Sequence, residues 1–201
     1  MYYFTQNGSL SYAALKPFAT TTNNTSPNYS YVNYLDGTDN VSAVNIIRQI
    51  GVNTMKQLIL PNLTYINSQL SCENYTNLEK ADLSNVESGK FGRTFKGCTA
   101  LTEINLSKLS DLTTSRAMGG TASQGGTFTN CTSLTTLSFP ALKSTSFGSY
   151  TNQFDMLLKG VTGCTVHFPS NLQSVIGSWS SVTSGFGGTN TTVLFDLPAT
   201  T

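Results

Sequence analysis

The 201-residue chain is short of charge: eleven Lys and Arg, ten Asp and Glu, a net charge of +1 and 10% charged residues in all, against a usual share of about 25%. That balance gives no electrostatic case for nucleic acid, an anionic membrane or an acidic substrate, each of which calls for a concentrated basic surface. A single histidine and four cysteines without a C-x-x-C pair make a structural zinc site or a dithiol redox motif a poor fit. No apolar run reaches 18 residues, so no transmembrane helix is legible. The opening "MYYFTQNGSL" has neither a basic n-region nor an apolar h-region and does not read as a signal peptide. The glycine-rich stretches "MGGTASQGG" (118–126) and "GFGG" (185–188) are not followed by G-K-[ST], which excludes a P-loop. No cofactor is expected.

What is present is a polar, uncharged composition, with Thr, Ser and Asn making up roughly a third of the chain, far above ordinary usage. Hydrophobic residues at 38% and aromatics at 10% are too many for a disordered chain, and the length suffices for a core without staples.

The organising feature is a repeat. "FKGCTALTEINLSKL" (95–109) returns 33 residues later as "FTNCTSLTTLSFPAL" (128–142). Three further segments fit the pattern, beginning at Met55, Leu78 and Cys164. Their central apolar positions are Leu58, Ala81, Ile104, Leu137 and Val166, at steps of 23, 23, 33 and 29. Leu58–Leu60, Ala81–Leu83, Ile104–Leu106, Leu137–Phe139 and Val166–Phe168 are apolar at i and i+2, the period of a short strand with one buried face. Pro61, Pro140 and Pro169 end three of these runs. One such unit cannot bury its apolar face alone, whereas stacked units can.

The string F-x-x-C-T-x-L-T-x-I-x-L-x-x-L, carried by Phe95, Cys98, Leu101, Ile104 and Leu106 and again by Phe128, Cys131, Leu134, Leu137 and Phe139, resembles the BspA-like class of leucine-rich repeats over about residues 54–175. The first unit lacks a clear F-x-x-C, Tyr75 stands at the Cys place of the second, and Val161 stands there in the last. The resemblance implies a leucine-rich-repeat solenoid, strand-rich, with about five coils in one short parallel ladder and caps at both ends. It also implies a non-catalytic module of a secreted or cell-surface bacterial protein, in adhesion or host interaction, with a protein or glycan ligand. A structural component of a phage tail or similar assembly is the alternative, since low charge and Thr/Asn richness fit that too.

The flanks read as caps. Residues 1–53 form an N-terminal segment with a helix over 42–51, N-capped by Ser42, and a loop or strand at 29–35. Residues 176–201 form a C-terminal cap. A short helix capped by Ser170 runs to Trp179 with Leu172, Val175, Ile176 and Trp179 on one face, and a strand at 191–197 closes the last edge.

Candidate chemistry is sparse. Cys164 and His167 sit on opposite faces of a strand, which argues against a nucleophilic pair. The carboxylates are scattered. Glu79, Asp82 and Glu103 could gather across coils, and Lys56 and Lys80 could pair with them just as easily. Cys98 and Cys131 occupy equivalent places one coil apart, as small buried hydrophobes or as a disulfide. The ten extra residues between the two best copies coincide with "MGGTASQGG", read as a flexible loop and the best candidate contact region. Tyr75, Phe91, Arg93, Arg116, Phe147 and Tyr150 are the candidate contact residues, chosen from their inter-coil positions and the enrichment of Tyr, Phe and Arg at interfaces.

Overall fold

The computed structural model describes residues 71–201 throughout, together with residues 63–66 and the segments 17–19, 29–32 and 55–59. The helix expected over 42–51 and the core position Leu60 lie outside the described residues.

The strands are short and follow the aligned positions. β3 (Met55–Ile59), β5 (Lys80–Asp82) and β7 (Glu103–Asn105) pair in parallel, with Leu58, Ala81 and Ile104 as register partners. β8 (Thr136–Ser138), β9 (Thr165–Pro169) and β10 (Thr192–Leu197) pair likewise, with Leu137 opposite Val166 and Val166 opposite Val193. β2 (Tyr29–Val32) joins β3 in parallel, and β1 (Pro17–Ala19) joins β2 antiparallel. β1 had no counterpart in the sequence reading. A second row forms from β4 (Tyr65–Ile66), β6 (Ser88–Gly89) and the bridge of Ser88 to Asp111, each a 23-residue step.

Local chemistry stops each strand after a few residues. The carboxylates of Asp82 and Asp111 and the amide oxygen of Asn105 each accept a bond from the backbone N–H two residues on, at 2.9–3.1 Å, the Asx turn that bends the chain out of the ladder. On the opposite side, Asn74, Gly97, Asn130 and Gly160 hold φ of 66°, 77°, 59° and 75° at equivalent places. Asn and Gly are the residues that tolerate this left-handed region. They alternate for a packing reason: a Cβ on Gly97 would meet Asn74 Oδ1, and one on Gly160 would meet Asn130 Oδ1.

The hydroxyl-rich composition acquires a role here. Thr99 Oγ1 donates to the Thr76 carbonyl and Thr132 Oγ1 to that of Thr99, both at 3.4 Å. Thr102, Ser107 and Ser110 donate to Glu79, Ser84 and Glu87 one coil earlier, at 3.2–3.5 Å. Short hydroxyl side chains at repeat positions thus reach backbone acceptors that a stacked turn leaves open, without adding charge.

One expectation fails. The ladder is not continuous: the strand order is β1-β2-β3-β5-β7 in one sheet and β10-β9-β8 in another. The amide of Leu83 donates to Asn105 at 3.0 Å and that of Phe139 to His167 at 3.1 Å, but the equivalent amide of Leu106 has no such bond to β8. Both flanks of this step remain closed, by Gly97 N to Thr129 O at 2.8 Å and Leu112 N to Ser146 O at 2.7 Å. The residues beneath the strands change across the break. The strand-side core is Leu83 and Leu106 before the break, whereas Phe139, Phe168 and Phe195 stack at 5.4 and 5.7 Å after it. Phe154, Phe186 and Phe147 pack around that stack, and Trp179 against Phe147. Elsewhere in the same step ring packing continues, with Phe95 stacked on Phe128 at 5.9 Å.

Of the predicted core, Leu58, Ala81, Leu83, Cys98, Leu101, Leu106, Cys131, Leu134, Leu137, Phe139, Val166 and Phe168 are buried. Ile104 is only partly buried, because its strand faces the break. At the C-terminal end the helix expected up to Trp179 is a 3-10 turn (Ser170–Leu172) followed by α1 (Gln173–Ile176), and a further turn, α2 (Ser180–Thr183), lies beyond it. Pro169, not Ser170, holds the N-cap place, and no side-chain cap is made. Leu172 and Ile176 are buried, with Val175 and Trp179 packed against the core.

Candidate binding surface

Three of the six candidate contact residues belong to the interior. Tyr75, Phe91 and Phe147 are 3%, 1% and 2% exposed. The chain turns inward at these inter-coil places, so the aromatic rings fill the space between stacked turns instead of facing a ligand. Burial pushes the Tyr75 hydroxyl up to about 12, with Cys72 and Cys98 adding to the effect. The other three are at the surface. Arg93 shares Glu73 with Lys96, at 3.9 and 3.1 Å. Arg116 lies 3.9 Å from Asp155, whose carboxyl is raised by burial and lowered in part by this guanidinium. Tyr150 is 42% exposed. These residues form no single cluster: Arg93 serves the second and third coils, and Arg116 serves the insertion and the coil that follows.

The glycine-rich insertion is not the flexible loop its composition suggests. Met118, Gly120 and Gly126 donate to Gln153, Asp155 and Met156 at 3.1, 2.7 and 2.9 Å. A Cβ on Gly119 or Gly126 would collide with backbone of the next coil. The glycines are there for close approach. Beneath them the buried Gln153 side chain donates to the Leu112 and Phe147 carbonyls at 2.6 and 3.0 Å, so the flap rests on a satisfied polar core. Only its tip, residues 121–124, is exposed.

The four cysteines are free and buried. Cys98 Sγ donates to the Cys72 carbonyl at 3.1 Å and Cys131 Sγ to that of Phe95 at 3.0 Å, so each thiol serves as a core donor. Burial raises all four; Cys98 reaches about 12 and Cys164 about 11. Thiols held in this form are poor nucleophiles and poor metal ligands.

Outward-facing side chains form rows across the strands. Lys56 pairs with Glu79 at 2.9 Å and Lys80 with Glu103 at 2.8 Å. On the second sheet His167 Nδ1 lies 2.9 and 3.0 Å from the two oxygens of Asp196, while Cys164 is buried. The His167–Asp196 pair was missed because β10 carries a register shift between Leu194 and Leu197. The alternation of Leu194 and Asp196 on one face was the available signal.

The remaining feature is an open groove of about 470 Å³ beside the ladder break. Ser107, Lys108 and Ser110 line one wall, Ala141 and Lys143 the other, with Glu87 and the C-terminal residues 199–201 completing it. The 33-residue step relates Lys108 to Ala141 and Ser110 to Lys143, so coil alignment was the signal that could have brought the two lysines together. Among the described residues, no group of three or more His, Cys, Asp or Glu is arranged to hold a metal ion, and no helix is long and apolar enough to cross a membrane.

Comparison with protein-family models, with curated proteins and with solved structures finds no match.

Proposed function

We propose that the chain is a non-catalytic binding module of the leucine-rich-repeat type, displayed outside the cell, with a protein or glycan ligand in adhesion or host interaction. The reading rests on the BspA-like motif and on one structural observation: evenly spaced rows of outward polar side chains, Lys56–Glu79, Lys80–Glu103 and Thr76–Thr99–Thr132, on a stacked frame. Such a surface is preorganised and repeats at the strand spacing of about 4.8 Å, which suits an extended ligand. Surface-immobilised full chain, screened against extracellular-matrix proteins and oligosaccharides, tests it. Saturable binding without turnover is expected. Turnover of a polysaccharide or peptide that vanishes on changing one carboxylate would overturn it.

A structural role in an assembly is the second reading, and β10 favours it. Among the described residues its outer edge has no neighbour, Leu194 is 37% exposed, and Val193 and Phe195 are only partly buried. Edges of this kind pair with other chains unless blunted. Sedimentation across a hundredfold concentration range separates the two: a constant monomer mass contradicts assembly through this edge.

A further inference from the structure

The ladder break and the groove occupy the same step between the third and fourth coils. The strand sides of the two coils part between β7 and β8, leaving the Leu106 amide without the acceptor its equivalents Leu83 and Phe139 have. The groove lies in the same step, lined by Ser107, Lys108, Ser110, Ala141 and Lys143, which follow the two strands. Its far wall is fixed: Thr200 Oγ1 donates to the Leu142 carbonyl at 2.7 Å, Thr200 N donates to Asn171 Oδ1 at 3.1 Å, and Asn171 Nδ2 donates to the Thr200 carbonyl at 2.8 Å. A volume of about 470 Å³ is within the range of roughly 300–1,000 Å³ typical of small-ligand sites.

The groove carries two lysines and one carboxylate, Glu87. Lys56, Lys80, Lys96, Arg93 and Arg116 each face a carboxylate, and Lys159 donates to the Ala122 carbonyl. Lys108 and Lys143, from opposite walls, have no carboxylate partner among the described residues. Lys108 Nζ donates instead to Asn85 Oδ1 at 2.7 Å. A whole-chain charge of +1 hides this local pair of cations. Apart from Glu87, the rest of the lining among the described residues is hydroxyl and alanine methyl.

Building on the binding-module reading, we propose that this groove binds an acidic saccharide, its carboxylate held between Lys108 and Lys143. Ser107, Ser110 and Thr200 meet its hydroxyls, and Glu87 accepts from a further one. An acidic peptide would satisfy the two ammonium groups, but its side chains would find no pockets here, whereas a sugar presents the alternating donors and acceptors that hydroxyl walls match.

The test is titration calorimetry of the full chain with tetragalacturonate, its neutral counterpart tetragalactose, and tetraglutamate. Lys108→Ala, Lys143→Ala and the off-site control Lys90→Ala are compared with the parent chain. Tetragalacturonate alone is expected to bind, weakening roughly tenfold or more for each groove lysine, as expected on loss of a charged hydrogen bond, with Lys90→Ala unchanged and Lys143→Arg retaining most affinity. Binding of tetragalacturonate that survives both groove substitutions overturns the site and leaves the binding-module reading standing. Equal or tighter binding of tetraglutamate, or of the neutral sugar, overturns the ligand class. Absence of tetragalacturonate binding overturns the proposal, and the wider ligand screen then decides separately whether the chain is a binding module.

Discussion

The two ladders solve the same stacking problem with different materials. The N-terminal one steps by 23 residues and packs Leu83 and Leu106 beneath its strands, and its outer face is tied by Lys–Glu pairs. The C-terminal one steps by 29 residues between Leu137 and Val166 and packs a stack of phenylalanines, with one His–Asp pair outside. The strands lose their pairing at the junction, where the residue beneath the strand changes from Leu106 to Phe139 while Phe95 still stacks on Phe128. The lesson is that equal repeat motifs do not ensure a continuous ladder.

The largest expected effect comes from breaking the aromatic side. Phe168 touches the rings of Phe139, Phe154, Phe186 and Phe195. Phe168→Ala should cost about 3–5 kcal/mol, read by urea denaturation, with near-ultraviolet circular dichroism reporting the loss of ring packing. Leu83→Ala should destabilise while leaving that ring signal intact in the folded state. If both substitutions perturb the ring signal alike, the two cores are not distinct.

Gly97→Ala comes next. It places a Cβ at φ 77° and against Asn74 Oδ1, so a loss of about 2 kcal/mol is expected, of which about 1–2 is conformational. Adding Asn74→Gly relieves the contact and should recover part of the loss. A double variant no better than the single one would refute the alternating Asn–Gly account.

Alkaline pH should act mainly on the N-terminal side and the junction, where Cys72, Cys98, Cys131 and Tyr75 lie. Their folded-state values are raised by burial, so the native state keeps protons that the unfolded chain releases. Their contribution is therefore fully present below about pH 8.5, the ordinary thiol value, and is lost as pH rises toward 12. Denaturation midpoints at pH 7 and pH 10.5 should fall in that order, and the native protein should resist thiol reagents at pH 8. A stability independent of pH across this window contradicts burial of the protonated thiols. The smallest effect belongs to the surface: Lys80→Ala removes an exposed pair with Glu103 and should change stability by less than about 1 kcal/mol.

The register of Leu58, Ala81 and Ile104, and that of Leu137 with Val166, was legible because period-two alternation and repeat spacing are properties of the chain itself. The outward His167 and the closing strand, expected over 191–197 and found at Thr192–Leu197, were legible for the same reason. Other features depend on what faces what. Tyr75, Phe91 and Phe147 suggested contacts because aromatics mark interfaces, yet they fill the interior, a choice made by the stacking of turns. The glycines of the insertion suggested flexibility, yet they serve close packing. The break after β7 lies between residues of different coils, and the groove depends on how the chain after β10 crosses back to Leu142.

Amide hydrogen exchange tests the broken ladder most directly, because three equivalent amides report on three successive steps. Those of Leu83 and Phe139 are bonded to the next strand, and that of Leu106 is not. Leu83 and Phe139 should exchange slowly, near the rate set by global unfolding, while Leu106 exchanges orders of magnitude faster. Protection of Leu106 equal to that of its two equivalents would show one continuous ladder and contradict the account.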